Sequence, residues 1–260
     1  MKSSGPTQSN IDSIISLYSK GEFQSALNES VELIKYFPKD SKLQNINGAC
    51  HQALGDLDSA VISYKKAIKI NSEYSKAHYN LAGTFYELGK FNESIKSYEL
   101  SLSIDPDYAE AHNNLGNVYK DIGWLDESII CYKKAILIQP EYFEAYFSLA
   151  TVYQELEEFN NMINYLKKAV SINPDLAEVH NKIGIGFKQI GRFEESVESF
   201  KRALEINPIY SDAYNNLGNV FMELKNIKSA LNSYHKALKI NPDFPAIHNN
   251  LGNAFKELGQ

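Results

Sequence analysis

The chain has 260 residues, 43% of them hydrophobic and 22% charged, with a net charge of −6. That is a soluble composition, sized for one or two compact domains or one elongated array. The acid surplus argues against a nucleic-acid backbone as the main partner, because phosphate binding needs Lys and Arg in excess on one face.

The first ten residues, MKSSGPTQSN, lack the apolar core of a signal peptide. No stretch approaches the roughly 18 apolar residues of a membrane span. The expected compartment is therefore the cytoplasm, with no membrane partner. Cys50 and Cys131 stand far apart with no second Cys or His pair at zinc spacing, so they read as small helix residues rather than a disulfide or metal site.

From there the chain is a ruler. Residues 1–6 read as a flexible tail, and one period of 34 then runs through blocks 7–40, 41–74, 75–108, 109–142, 143–176, 177–210 and 211–244, with a half block at 245–260. Block 7–40 is degenerate: Asn10 stands where later blocks carry a ring, and Ser13 stands for a leucine. Its polar first helix reads as a solvated N-terminal cap. Block 109–142 is the clearest copy. Leu115, Val118, Tyr119 and Ile122 form one helical stripe, and Leu125, Ile129, Tyr132 and Ile136 form a second. Each block is thus predicted to be two antiparallel helices, A then B. The half block keeps His248, Leu251, Phe255 and Leu258, which would pack on a helix B that does not follow. Two expectations arise there: that the native chain continues beyond Gln260, or that residues 245–260 support end-to-end self-association.

The fixed letters have physical roles. Pro38, Pro106, Pro140, Pro174, Pro208 and Pro242 share a slot that stops helix B, with Ser72 the exception. Gly21, Gly55, Gly89, Gly123, Gly191 and Gly259 share the slot of the A–B turn. Glu157 and Lys225 occupy it in two blocks, so those turns should be strained or differently closed. Small residues in the Gly116 slot (Gly48, Ala82, Ala150, Gly184, Gly218, Gly252) let helix A approach helix B.

His112-x2-Leu115-Gly116-x2-Tyr119, then Ser128-x3-Tyr132, Ala135 and Pro140, resembles the tetratricopeptide repeat, and the resemblance covers residues 7–260. It implies an all-α fold, an α-solenoid coiled as a right-handed superhelix, with helix A lining the concave surface. The usual Trp is replaced by His78, His112, Tyr146, His180, Tyr214 and His248, which still supply a flat ring.

The triplicated NNLGN then raises the functional question. Asn113, Asn114, Asn117 and Lys120 sit off the packing stripe of helix A. Their counterparts include Asn80, Asn215, Asn216, Asn219, Asn249, Asn250 and Asn253. An amide both donates and accepts, so a row of them can track the backbone of an extended peptide. The row resembles the asparagine ladder of the O-linked N-acetylglucosamine transferase family and is interrupted at Ser148 and Lys182. The alternative is that the asparagines only bond between neighbouring blocks. No block carries Lys or Arg in the Asn113 slot, which argues against a clamp for chaperone C-termini. Acids at Glu87, Asp121, Glu155, Glu223 and Glu257 read as a solvated face. Trp124 reads as a partly exposed staple at its turn.

No phosphate loop, GxSxG or HExxH is present, and the histidines fall one per block in the ring slot rather than converging. The expectation is a non-catalytic protein-interaction scaffold, without cofactor, that binds a protein or extended peptide in its groove. The alternative is a substrate-recruiting module of a larger glycosyltransferase-, sulfotransferase- or methyltransferase-type enzyme.

Overall fold

The computed structural model describes residues 5–259. The expected tail lies outside the described residues except for Gly5 and Pro6, and so does residue 260 of the half block. The described residues form fifteen helices and no strand. Chain contacts divide them into two compact units, one ending at Pro140 and one beginning at Glu141.

The first unit holds α1 (Gln8–Ser19), α2 (Phe23–Tyr36), α3 (Ser41–Ala53), α4 (Leu57–Ile70), α5 (Ser75–Glu87), α6 (Phe91–Ile104), α7 (Ala109–Asp121) and α8 (Leu125–Ile138). The second holds α9 (Phe143–Glu155), α10 (Phe159–Ile172), α11 (Ala177–Gln189), α12 (Phe193–Ile206), α13 (Ser211–Glu223), α14 (Ile227–Ile240) and α15 (Pro245–Glu257). Odd helices are the A helices and even ones the B helices. Inside each unit every A helix packs on the B helix that follows, and every B helix on the next A helix. A pair of helices this short cannot bury enough apolar surface alone, so stacking is what closes each core.

The turn between A and B is the same wherever it is made. In block 109–142 the Gly123 N–H donates to the Lys120 carbonyl at 2.9 Å and the Trp124 N–H to Tyr119 at 2.8 Å, with Gly123 at φ 80°. These two bonds satisfy carbonyls that the helix end leaves open, and they require a left-handed residue. Glu157 and Lys225 adopt that conformation too, at φ 57° and 56°. Glu158 donates to Tyr153 and Asn226 to Phe221, both at 2.8 Å. The two non-glycine turns are therefore closed in the same way, and the cost is local backbone strain.

Between the helices the close approach is literal. A Cβ built on Gly116 would stand 2.7 Å from Tyr132 Cε1, and one on Gly218 would stand 2.4 Å from Tyr234 Cε1. Both tyrosines are fully buried. The ring slot acts as a stitch: the His112 Nε2–H donates to the Pro106 carbonyl at 3.0 Å, tying the start of helix A to the linker before it. His78, His180 and His248 make the same bond to Ser72, Pro174 and Pro242. Burial, the largest influence, lowers the His112 pKa. Cys50 and Cys131 are buried, and desolvation pushes each thiol up to about 11.

α1 departs from expectation. Thr7 and Asn10 close a reciprocal capping box at its start, and Ile14 is fully buried with Leu43 and Cys50. The helix is nevertheless not a polar cap. Ile11, Ile15 and Tyr18, spaced by four and three residues, carry an apolar stripe from the edge of the core, where Ile11 packs, out to the surface, where Ile15 is 50% exposed.

Candidate peptide-binding face

Successive A helices lie side by side from α3 to α7 and from α11 to α15, and contacts between residues 35 apart link neighbouring repeats. Asn80 Nδ2 donates to Asn45 Oδ1 at 3.0 Å, and Asn114 Nδ2 donates to the Tyr79 hydroxyl at 2.8 Å. In the second unit Asn216 Nδ2 donates to Asn181 Oδ1 at 3.1 Å, and Asn250 Nδ2 to Asn215 Oδ1 at 2.9 Å. The second asparagine of each NN pair thus reaches back to the first asparagine slot of the preceding repeat. Where Lys182 replaces the donor the register persists in another form, because its ammonium lies 5.5 Å from the centre of the Phe147 ring. A second row repeats the spacing. Gln52 donates to Glu87 at 2.6 Å and Tyr86 to the Asp121 carboxylate. That carboxylate pushes the Tyr86 pKa up to about 12. The acids at 87 and 121 thus have partners on the preceding repeat.

The remaining asparagines separate by exposure. Asn113 and Asn215 are buried; Asn113 donates to Asn114 Oδ1 at 3.2 Å while its own Oδ1 has no partner. Asn117 and Asn219 are half-buried, each accepting from the hydroxyl of the buried tyrosine of its own repeat, Tyr132 and Tyr234, at 2.8 Å. Asn219 Oδ1 also accepts from Asn250 at 3.0 Å. The carboxamide Nδ2 of Asn117 and of Asn219 meets no partner among the described residues. Lys120 is half-buried, 3.6 Å from Asp121. Asn249 and Asn253 are exposed on α15, where Leu258 is exposed as well. Trp124 is 52% exposed and stacks on Tyr119 with ring centres 5.7 Å apart.

One cleft on the A-helix side of the first unit, of about 770 Å³, is lined by α1, α3 and α5. Its apolar floor includes Ile11, Ile15 and Ile46, and Lys39, Lys42 and Lys76 stand around it. Sequence reasoning missed these residues because it treated block 7–40 as a cap; the Ile11–Ile15–Tyr18 spacing was the available signal. Among the described residues no group of three or more His, Cys, Asp or Glu is disposed to hold a metal ion, and no helix is long and apolar enough to cross a membrane.

Comparison with known proteins agrees with this architecture. A family model described as TPR repeat matches residues 52–89, 84–123, 186–225 and 218–259, and one described as tetratricopeptide repeat matches 109–142 and 143–176. Heat shock protein STI1 of Saccharomyces cerevisiae is 42% identical over 60 residues, 23% of this chain, which spans only 10% of that protein's length. Among solved structures, YrrB, a TPR protein with an unusual peptide-binding site, is 26% identical with a TM-score of 0.65, over 72% of this chain and 96% of its own. MamA is 29% identical with a TM-score of 0.59, over 62% and 94%. The C-terminal part of a TPR repeat-containing protein from Cytophaga hutchinsonii, 13% identical, shares the fold with a TM-score of 0.78 over 92% and 98%. The matched segments, the paired helices and the glycine turns lead to one statement: this chain belongs to the tetratricopeptide repeat family.

Proposed function

We propose that this chain is a non-catalytic interaction scaffold that holds an extended peptide or partner segment along the A-helix face of each unit. The observation that carries the reading is the state of Asn117 and Asn219. Each amide oxygen is held by a buried tyrosine hydroxyl at 2.8 Å, while the amide nitrogen has no partner among the described residues. A donor fixed in place before a ligand arrives loses little entropy on binding, which suits it to the carbonyls of an extended backbone. The amides of Asn80, Asn114, Asn216 and Asn250 are already engaged between repeats, so their part is to set the spacing of the face. That YrrB is described as carrying a peptide-binding site adds analogy to this argument.

The test is a peptide-array selection followed by titration of the selected peptides. Asn117→Asp and Asn219→Asp keep an acceptor for each tyrosine and remove the donor. The double variant is expected to melt within about 2 °C of the parent and to bind roughly tenfold or more weakly, the loss expected for one or two hydrogen bonds of about 1 kcal/mol each. Unchanged affinity in a folded double variant would sink the reading.

A further inference from the structure

The cleft between α1, α3 and α5 has two properties that packing does not require. The first is its floor. α1 already buries one stripe through Ile14, and yet it turns Ile11 and Ile15 into the cleft beside Tyr18. Ile11 and Ile46 also pack against the core below, but Ile15 and Tyr18 remain 50% and 36% exposed, an arrangement that costs solubility.

The second property is the sign of the charge around the cleft. Lys42 and Lys76 occupy the second position of their A helices. The same position carries Glu110, Glu144, Glu178 and Asp212 in the four blocks that follow. An acid there complements the positive end of the helix dipole, and a lysine opposes it. Lys39, in the linker, stands where other blocks have Glu73, Asp107, Glu141, Asp175 and Asp243. Two repeat slots that are mostly acidic elsewhere thus place three lysines around one cleft, against one carboxylate in its lining, Asp40, whose Oδ1 accepts from the Leu43 N–H that it caps. Each lysine is exposed, and none forms an ion pair among the described residues. Local rules broken together at one place mark a functional demand rather than a folding one.

We infer that this cleft docks a protein segment whose carboxylates flank an apolar side chain, the carboxylates meeting Lys39, Lys42 and Lys76 and the apolar group entering between Ile11, Ile15 and Ile46. The inference rests on the scaffold reading above and names the class of partner for the A-helix face of the first unit. A phosphate backbone would satisfy the lysines and leave the isoleucine floor empty, which favours a peptide over a nucleic acid.

The test titrates the purified chain with a fluorescent peptide in which aspartates flank a Leu-Phe pair. Two twins accompany it, one with Asn for every Asp and one with Ser for the Leu-Phe pair. Both twins are expected to bind about tenfold or more weakly than the parent peptide. The variant Lys39→Glu/Lys42→Glu/Lys76→Glu is expected to lose the parent peptide to the same degree. Its melting midpoint should rise by about 2 °C, because acids replace lysines at two helix starts. The inference is overturned if the acidic peptide fails to bind, binds the triple variant equally well, or is matched by its Ser twin, by a uridine oligonucleotide or by anionic vesicles. A lowered midpoint would also overturn it, because the lysines would then serve the fold. The peptides selected on the array separate the two readings. If the acidic peptide fails while the array peptides still bind the parent chain, the scaffold stands and only this inference falls; if neither binds the parent chain, both fall.

Discussion

Gly116→Ala is the sharpest probe of how the repeats pack. The new methyl would lie 2.7, 2.9 and 3.1 Å from Tyr132 Cε1, Cδ1 and Cζ. The ring cannot yield easily, because Tyr132 is 0% exposed and its hydroxyl is fixed to Asn117 at 2.8 Å. Overpacking of this kind costs about 1–3 kcal/mol, and exchanging glycine for alanine in a helix returns about 1 kcal/mol. A net loss of up to about 2 kcal/mol follows from these two terms. Block 143–176 pairs Ala150 with Leu166 at the same two positions, both buried, so Gly116→Ala in a Tyr132→Leu background should be neutral or stabilising. Block 75–108 pairs Ala82 with Tyr98, but there Gly83 stands in the Asn117 slot and the Tyr98 hydroxyl lies over it, 3.6 Å from where a Cβ would be. Urea midpoints of the parent, the two single variants and the double variant give the coupling, expected at about 1–3 kcal/mol. Equal losses from Gly116→Ala in both backgrounds would refute the argument.

Glu157→Gly and Lys225→Gly should each stabilise by about 0.5–1 kcal/mol, the relief of a left-handed residue less the added freedom of the unfolded chain, whereas Gly123→Ala should destabilise; thermal melts of all three decide it. Asn216→Ala removes the donor to Asn181, which is 6% exposed. It should cost about 1–2 kcal/mol by leaving a buried acceptor open, and a variant as stable as the parent in urea would mean that the inter-repeat amide bonds do not set the packing. His112 is a base whose pKa lies below its ordinary 6.5 because burial disfavours the imidazolium. The folded state therefore binds the proton less well than the unfolded one, and its stability contribution is complete above about pH 6.5 and declines as the pH falls below it. His112→Gln should flatten that part of the stability profile relative to the parent, as read by urea midpoints across the range from pH 7.5 to about 5.

Much of this architecture is legible in the sequence because it is local. The proline slot, the turn at Gly123 and the stripes through Leu115 and Tyr132 act within one helix pair, so helix periodicity and turn chemistry suffice to read them. The partners of the asparagines are not local. Asn114 meets Tyr79 and Asn216 meets Asn181, and that register exists only once repeats have stacked. A residue off the buried stripe can face solvent or a neighbouring repeat, and helical spacing alone does not distinguish them. The cleft beside α1 is of the same kind. Ile15, Ile46, Lys42 and Lys76 lie on three different helices, and each alone reads as an ordinary surface residue. Only the side-by-side placement of α1, α3 and α5 gathers them, because a site made between helices depends on distances that the period of a single helix does not contain.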